Sequence, residues 1–276
     1  MPFKTMLTVT GVDHSDADTK IAARLSRQAK AHLSVLALAV AAPPPVGEYA
    51  AAVSDAWLEE RREDERDLAK RAKALTALVA QEGVSADVTE EYAEQAWVDI
   101  AVGGHARYAD LTIIGPELAR TTDLKTRVLN GVLFEAERPA LIVPEDGRAT
   151  LRPRIVLVAW NSKLEASRAV RESIELLAGA DTVHVTMVDP DAGASGPEPG
   201  SGIAAYLARH GAKVIIDRLP GEGLSTTEVL MRHASDISAD LVVMGAYGHS
   251  RLRQRIFGGV TRSVIESVPL PVFLAR

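Results

Sequence analysis

Ala239-Asp240-Leu241-Val242-Val243-Met244-Gly245-Ala246-Tyr247-Gly248, followed after nine residues by Gly258-Gly259-Val260-Thr261, is the stretch on which the fold turns. Residues 241–244 are a continuous apolar run that ends at a glycine, which reads as a short strand buried on both faces. A loop follows that carries Gly245, Gly248 and three arginines, Arg251, Arg253 and Arg255. After Gly258-Gly259, the residues Val260, Val264, Ile265 and Val268 recur at helical spacing. Strand, glycine loop and helix start make a cradle suited to phosphate. Glycines let backbone N–H groups come close to an anion, and the first helical turn leaves donors free at the positive end of the dipole.

Self-similarity extends this unit to the whole chain. Ala109-Asp110-Leu111-Thr112-Ile113-Ile114-Gly115 repeats as residues 239–245, at an offset of 130. Pro139-Ala140-Leu141-Ile142-Val143 repeats as residues 271–275, and Val128, Val132, Leu133 and Ala136 match Val260, Val264, Ile265 and Val268, all at 132. Near the front, Val12-Asp13 matches Trp160-Asn161 and residues 35–40 match 183–188, at 148. The drift places about 18 extra residues in the middle of the first half. Two related domains in tandem are expected, residues 1–147 and 148–276, with a join around residues 146–150.

Each half alternates strands with helices, which dictates a parallel, doubly wound sheet. In the first half, strands are expected at 4–10, 33–40, 84–91, 111–115 and 140–143, and helices at 15–30, 47–81, 93–104 and from the glycine region to 137. Pro43-Pro44-Pro45 breaks the chain before the long helix. The mixed charges of that helix, Glu59-Glu60-Arg61-Arg62-Glu63-Asp64-Glu65-Arg66, read as a solvated face with local ion pairs. In the second half, strands are expected at 155–160, 183–188 and 213–217, and helices at 164–178, at a short segment up to 210, and at 225–237. The last of these opens with Ser225 and has Glu228 three residues on, a capping box. The second half lacks the long charged helix, which leaves its cleft more open.

The spacing G-x2-G-x9-G-G is neither the Walker pattern nor the G-x-G-x-x-G of dinucleotide folds. It resembles the nucleotide loop of the universal stress protein family, which is normally G-x2-G-x9-G followed by Ser or Thr. Gly259 stands where that hydroxyl residue usually sits, and Thr261 fits the family pattern. The resemblance implies two Rossmann-like α/β sheets of five parallel strands each, in the flavodoxin-like order 3-2-1-4-5. It implies a cytoplasmic stress-response regulator that binds ATP, or AMP or ADP, with Mg²⁺ as an optional companion of the phosphates. Position by position, Ala159, Trp160 and Asn161 would flank base and ribose, and Val188 would offer backbone contacts to the base. Met244, Gly245 and Tyr247 would sit beside the ribose, with Gly248, Gly258, Gly259, Val260 and Thr261 around the phosphates. Asn161 replaces the family's usual Asp, so it keeps a sugar hydrogen bond and loses the charge. The same glycines would also serve plain turns in an α/β fold.

The first half departs from the motif. Pro116-Glu117-Leu118-Ala119 follows Gly115, Thr126-Arg127 replace the glycine pair, and the loop is two residues shorter. Asp13 keeps the family acid, but the proline and a bulkier helix start are expected to obstruct a phosphate. A structural or pairing role, or another ligand, is expected there.

Composition excludes several classes. A chain of 276 residues with 47% hydrophobic, 25% charged and 4% aromatic residues has the make-up of a globular protein. A net charge of −6 argues against a general nucleic-acid or anionic-membrane binder. The absence of cysteine excludes disulfides, thiolate nucleophiles and cysteine–zinc sites. The start of the chain is too brief an apolar run for a signal peptide, and no run approaches the roughly 18 apolar residues of a membrane span. No catalytic motif is present, and His14, His32, His105, His184, His210, His233 and His249 show no metal-ligand spacing. Slow ATP hydrolysis is left open, without a convincing general base. The alternatives are a nucleotide-free scaffold and a weak ATPase. An unidentified protein partner is expected, and the assembly is either a monomer with its domains paired within the chain or a homodimer. Residues 141–143 and 272–274 are the expected pairing edges.

Overall fold

The computed structural model describes residues 3–43, 55–190, 198–246 and 269–276, which fall into two units, Phe3–Arg138 and Pro139–Arg276. The first unit runs β1 (Thr5–Gly11), α1 (Ala17–Ala29), β2 (His32–Ala41), α2 (Asp55–Gln81), β3 (Ala86–Glu94), α3 (Val98–Ala106), β4 (Leu111–Ile114), α4 (Pro116–Arg120) and α5 (Thr122–Asn130). Its strands are all parallel, in the order β3-β2-β1-β4. The central strand β1 is buried at every residue after Thr5, as helices on both faces of a parallel sheet require. The edge strand β3 alternates instead, with only Ala93 buried.

The second unit holds β5 (Ala140–Ile142), β6 (Ile155–Ala159), α6 (Leu164–Glu172), α7 (Ile174–Ala178), β7 (Thr182–Val188), α8 (Ser201–Arg209), β8 (Val214–Leu219), α9 (Thr226–Asp236), β9 (Leu241–Gly245) and β10 (Val272–Ala275). The strand order is β5-β10-β9-β6-β7-β8, and every pair from β10 to β8 is parallel. Numbered from β6, that is the expected 3-2-1-4-5. The core of this unit lies along β9 and β10, where Leu241, Val242, Val243, Val272, Phe273 and Leu274 are fully enclosed.

Several details differ from the sequence reading, each for a local reason. Strand β5 lies against β10, antiparallel, with Leu141 opposite Phe273 and Ile142 opposite Val272. By compactness it groups with the second unit. The two expected pairing edges meet each other in this ladder. The helix expected over 164–178 is broken at Ser173, whose hydroxyl donates back to the carbonyls of Ala169 (2.7 Å) and Val170 (3.3 Å). The helix expected up to 137 is divided into α4, α5 and a π-helical turn over Gly131–Glu135. Helix α2 is described from Asp55, and residues 47–54 of the predicted span lie outside the described residues. Its charges pair locally as expected, with Glu59 accepting from both Arg62 and Arg66. Among the described residues no helix is long and apolar enough to cross a membrane.

Candidate functional site

Strand order in the second unit reverses at β6, whose neighbours are β9 on one side and β7 on the other. Ligands of open parallel sheets bind beyond the carboxyl ends of the strands at such a reversal. Ala159 closes β6 opposite both Met244 of β9 and Thr186 of β7. The Trp160 N–H then donates to the Thr186 carbonyl at 2.9 Å, which carries the chain out over the end of β7. Val188 closes β7 opposite Leu219. Thus Ala159, Trp160, Val188, Met244 and Gly245 are gathered at one end of one sheet.

Gly245 is required there by space. A Cβ at this position would stand 2.6 Å from the backbone nitrogen of Ala166 and from the carbonyl carbon of Glu165, so the first turn of α6 lies directly on the end of β9. The loops leaving β6, β7 and β8 each hold a non-glycine residue with positive φ: Ser162 at 61°, Asp189 at 44° and Glu222 at 50°. Such residues are uncommon and cluster where surrounding structure imposes a shape. Asp189 is held by accepting from the Gly221 N–H at 2.9 Å, which ties the β7 loop to the β8 loop.

Between the loop after β6 and the start of α8 lies a cleft of about 360 Å³, lined by Trp160, Ser162, Glu198, Gly200, Ile203 and Tyr206. That volume falls in the roughly 300–1,000 Å³ range of small-molecule sites. An indole, a phenol and an isoleucine side chain offer flat apolar walls, and Glu198 and Ser162 offer polar groups at the rim. Of this lining, only Trp160 was singled out from the sequence. The rest sits on a Gly/Pro-rich loop and a short helix, and the available signal was Gly200 at a helix start with Ile203 and Tyr206 at i, i+3 spacing.

Asn161, expected beside base and ribose, bonds locally at the start of α6. Its Oδ1 accepts from the Lys163 N–H at 3.0 Å and its Nδ2 donates toward Glu165 Oε1 at 3.4 Å, so the carboxamide is used in shaping the start of α6. Tyr247, Gly248, Gly258, Gly259, Val260 and Thr261, with Arg251, Arg253 and Arg255, lie outside the described residues.

In the first unit the equivalent cradle is filled by the protein's own carboxylates. Asp18, fully enclosed in the first turn of α1, accepts from the N–H groups of Glu117 (3.1 Å) and Leu118 (2.9 Å) at the start of α4. Glu117 returns the contact, accepting from the Ser15 N–H at 2.9 Å and its hydroxyl at 2.8 Å, ahead of α1. Each helix start is thus capped by an acid from the other. Burial raises the Asp18 carboxyl above the usual aspartate range, against the two N–H donors that pull it down. Burial also pushes Glu117 upward, but the bonds from Ser15 outweigh it and hold that carboxyl low. Gly115 leaves room for this arrangement, since a Cβ on it would stand 2.1 Å from Asp18 Cγ. His14 completes the closure, its Nδ1 accepting from the Gly11 N–H at 3.2 Å and its Nε2 meeting Thr121 Oγ1 at 3.4 Å. The obstruction expected at Pro116 is therefore chiefly an occupied anion position, supplied from α1.

Residues 153–276 match the family model described as the universal stress protein family. Universal stress protein Slr1230 of Synechocystis sp. is 29% identical over 156 residues, which cover 52% of this chain and 49% of that protein. The chain thus aligns with about half the length of that relative. A universal stress protein from Archaeoglobus fulgidus has the same fold over nearly the whole chain, with a TM-score of 0.70, 20% identity, and coverage of 99% of this chain and 96% of that one. A functionally unknown protein from Pseudomonas aeruginosa PAO1 follows, with a TM-score of 0.58, 16% identity, and coverage of 99% and 92%.

Proposed function

Because residues 153–276 belong to the universal stress protein family, we propose that this protein is a stress-response regulator that binds an adenine nucleotide, ATP, ADP or AMP, in its second unit. The observation that carries the proposal is a convergence at one sheet end. The ends of β6, β7 and β9 meet at the strand-order reversal, beside an open cleft with an aromatic wall, and the glycine motif of residues 245–259 begins at the end of β9. In this reading Trp160 and Val188 border the base, Ala159, Met244 and Gly245 border the ribose, and Gly248, Gly258, Gly259, Val260 and Thr261 serve the phosphates, with Mg²⁺ as their companion. The first unit takes no part, because its anion position is held by Asp18.

The regulatory effect follows from linkage: a nucleotide shifts the protein only toward states that it binds more tightly, so a partner must read one of two states. We place this activity in the cytoplasm, as binding rather than turnover. A second reading, a scaffold without nucleotide, draws support from the local engagement of the Asn161 carboxamide and from Gly259 at the position of the family's hydroxyl.

The test is calorimetric titration of ATP and AMP into the purified full chain, alongside Gly248→Val, with phosphate release followed in parallel. Micromolar binding that the variant loses supports the proposal. No binding by the wild type, with no nucleotide carried through purification, overturns it in favour of the scaffold, and rapid phosphate release would make the protein an enzyme.

A further inference from the structure

Away from the cleft, the second unit brings together three side chains that are far apart in sequence. His184 lies on β7, Asp217 on β8 and His233 on α9. Asp217 is opposite Thr186 and His184 opposite Ile215, so His184 and Asp217 share a sheet face diagonally, as the period of two in each strand dictates. Helix α9 buries Thr227, Leu230 and Ala234 as its inner stripe. His233, one turn beyond Leu230, sits at the margin of that stripe. Both imidazoles converge on one atom: His184 Nδ1 and His233 Nε2 each lie 2.8 Å from Asp217 Oδ2. The two rings meet edge to face, with centroids 6.0 Å apart.

We propose that His184, Asp217 and His233 form a binding site for a divalent transition metal, with zinc as its reference ion. Two imidazoles and one carboxylate are a donor set suited to zinc and to ferrous iron. The three donor atoms lie within 4.8 Å of one another, with both ring nitrogens facing Asp217 Oδ2. Tetrahedral zinc with bonds near 2.0 Å separates its ligand atoms by roughly 3.3 Å. The carboxylate oxygen therefore withdraws by about half an ångström from each nitrogen to admit the ion, a change within side-chain rotation. Each imidazole must then present a lone pair, so the proton on the metal-facing nitrogen moves to the other ring nitrogen or is released.

Exposure favours an ion over a sealed clamp. The three side chains retain 13%, 17% and 16% of their surface, so the cluster is reachable from solvent; a zinc ion there would take a water as its fourth ligand. The placement at β8 has a physical consequence as well. This strand ends the sheet, and its backbone is anchored on one side only by β7. A bound ion would tie the edge strand, its neighbour and the overlying helix through one centre.

The experiment is titration of zinc chloride into tag-free, chelator-treated full chain by calorimetry, with cobalt(II) absorption as a second readout of the ligand set. The proposal expects one zinc per chain, visible cobalt bands, and a loss of affinity of at least about 100-fold in both His233→Gln and Asp217→Asn. His32→Gln serves as the control, because His32 pairs with Asp87 in the first unit without a second imidazole. It leaves the affinity unchanged. His233 is at a helix margin, so its variant should keep the wild-type circular dichroism; should it not fold, His184→Gln replaces it. Absence of stoichiometric binding in the wild type, or equal affinity in the ligand variants, overturns the proposal and leaves a hydrogen-bonded clamp. No nucleotide is present in the titration, so its outcome is independent of the cleft.

Discussion

Replacing Asp18 by asparagine tests the claim that the first unit fills its own anion position. The carboxylate offers one oxygen to each of two N–H groups, Glu117 to Oδ1 and Leu118 to Oδ2. Asparagine offers one oxygen and one NH2, so one helix-start N–H loses its acceptor and faces a donor in an enclosed space. An unsatisfied buried donor costs about 1–3 kcal/mol. Part of this is offset, because the neutral amide avoids the desolvation that raises the Asp18 carboxyl. A net loss of about 1–2 kcal/mol at pH 7 is expected for Asp18→Asn, and a larger loss for Asp18→Ala, which strands both donors. The pH dependence has a definite sign. A carboxyl raised in the folded state contributes stability that is fully present below its unfolded pKa and is lost as pH rises through the folded value. The deficit of Asp18→Asn relative to wild type should therefore grow as pH falls from 7 toward 4. The assay is urea unfolding followed by tryptophan fluorescence in a Trp160→Phe background, where the remaining tryptophans, Trp57 and Trp97, both report the first unit. Equal stability of wild type and variant at pH 7 refutes the capping role. A deficit that shrinks on acidification shows instead that the N–H bonds dominate and hold the carboxyl low.

Two further substitutions probe the second unit, beside the nucleotide and zinc titrations already described. Gly245→Ala places a methyl group 2.6 Å from the backbone at the start of α6, so a loss of about 1–3 kcal/mol is expected in thermal melts, with weakened nucleotide affinity; an unchanged melting temperature would mean that the helix does not lie on the strand end. Ser225→Ala removes the capping box in which the Ser225 Oγ accepts from the Glu228 N–H at 3.3 Å and Glu228 returns a bond to the Ser225 N–H at 2.8 Å. Urea unfolding should show a loss of about 1 kcal/mol, and Ser225→Thr should restore most of it.

The strand order came with the family resemblance, while the sequence by itself determined the repeated β–α alternation and the parallel sheet that it builds. These last two are properties of local pattern, since apolar runs such as 241–244 admit one kind of strand. The capping box at Ser225 was equally legible, because all its partners lie within one helical turn. Tertiary structure decided what depends on distant residues meeting. The engagement of the Asn161 carboxamide depends on where the start of α6 comes to rest, and the cleft wall depends on α8 folding back over the strand ends. The filling of the first anion position joins Asp18 to residues about a hundred positions away, which no motif spacing encodes. His184, Asp217 and His233 share no local pattern and converge only because strand pairing and helix packing fix three backbones at once. Periodicity tells each residue which face it occupies, whereas a site requires knowing which faces meet.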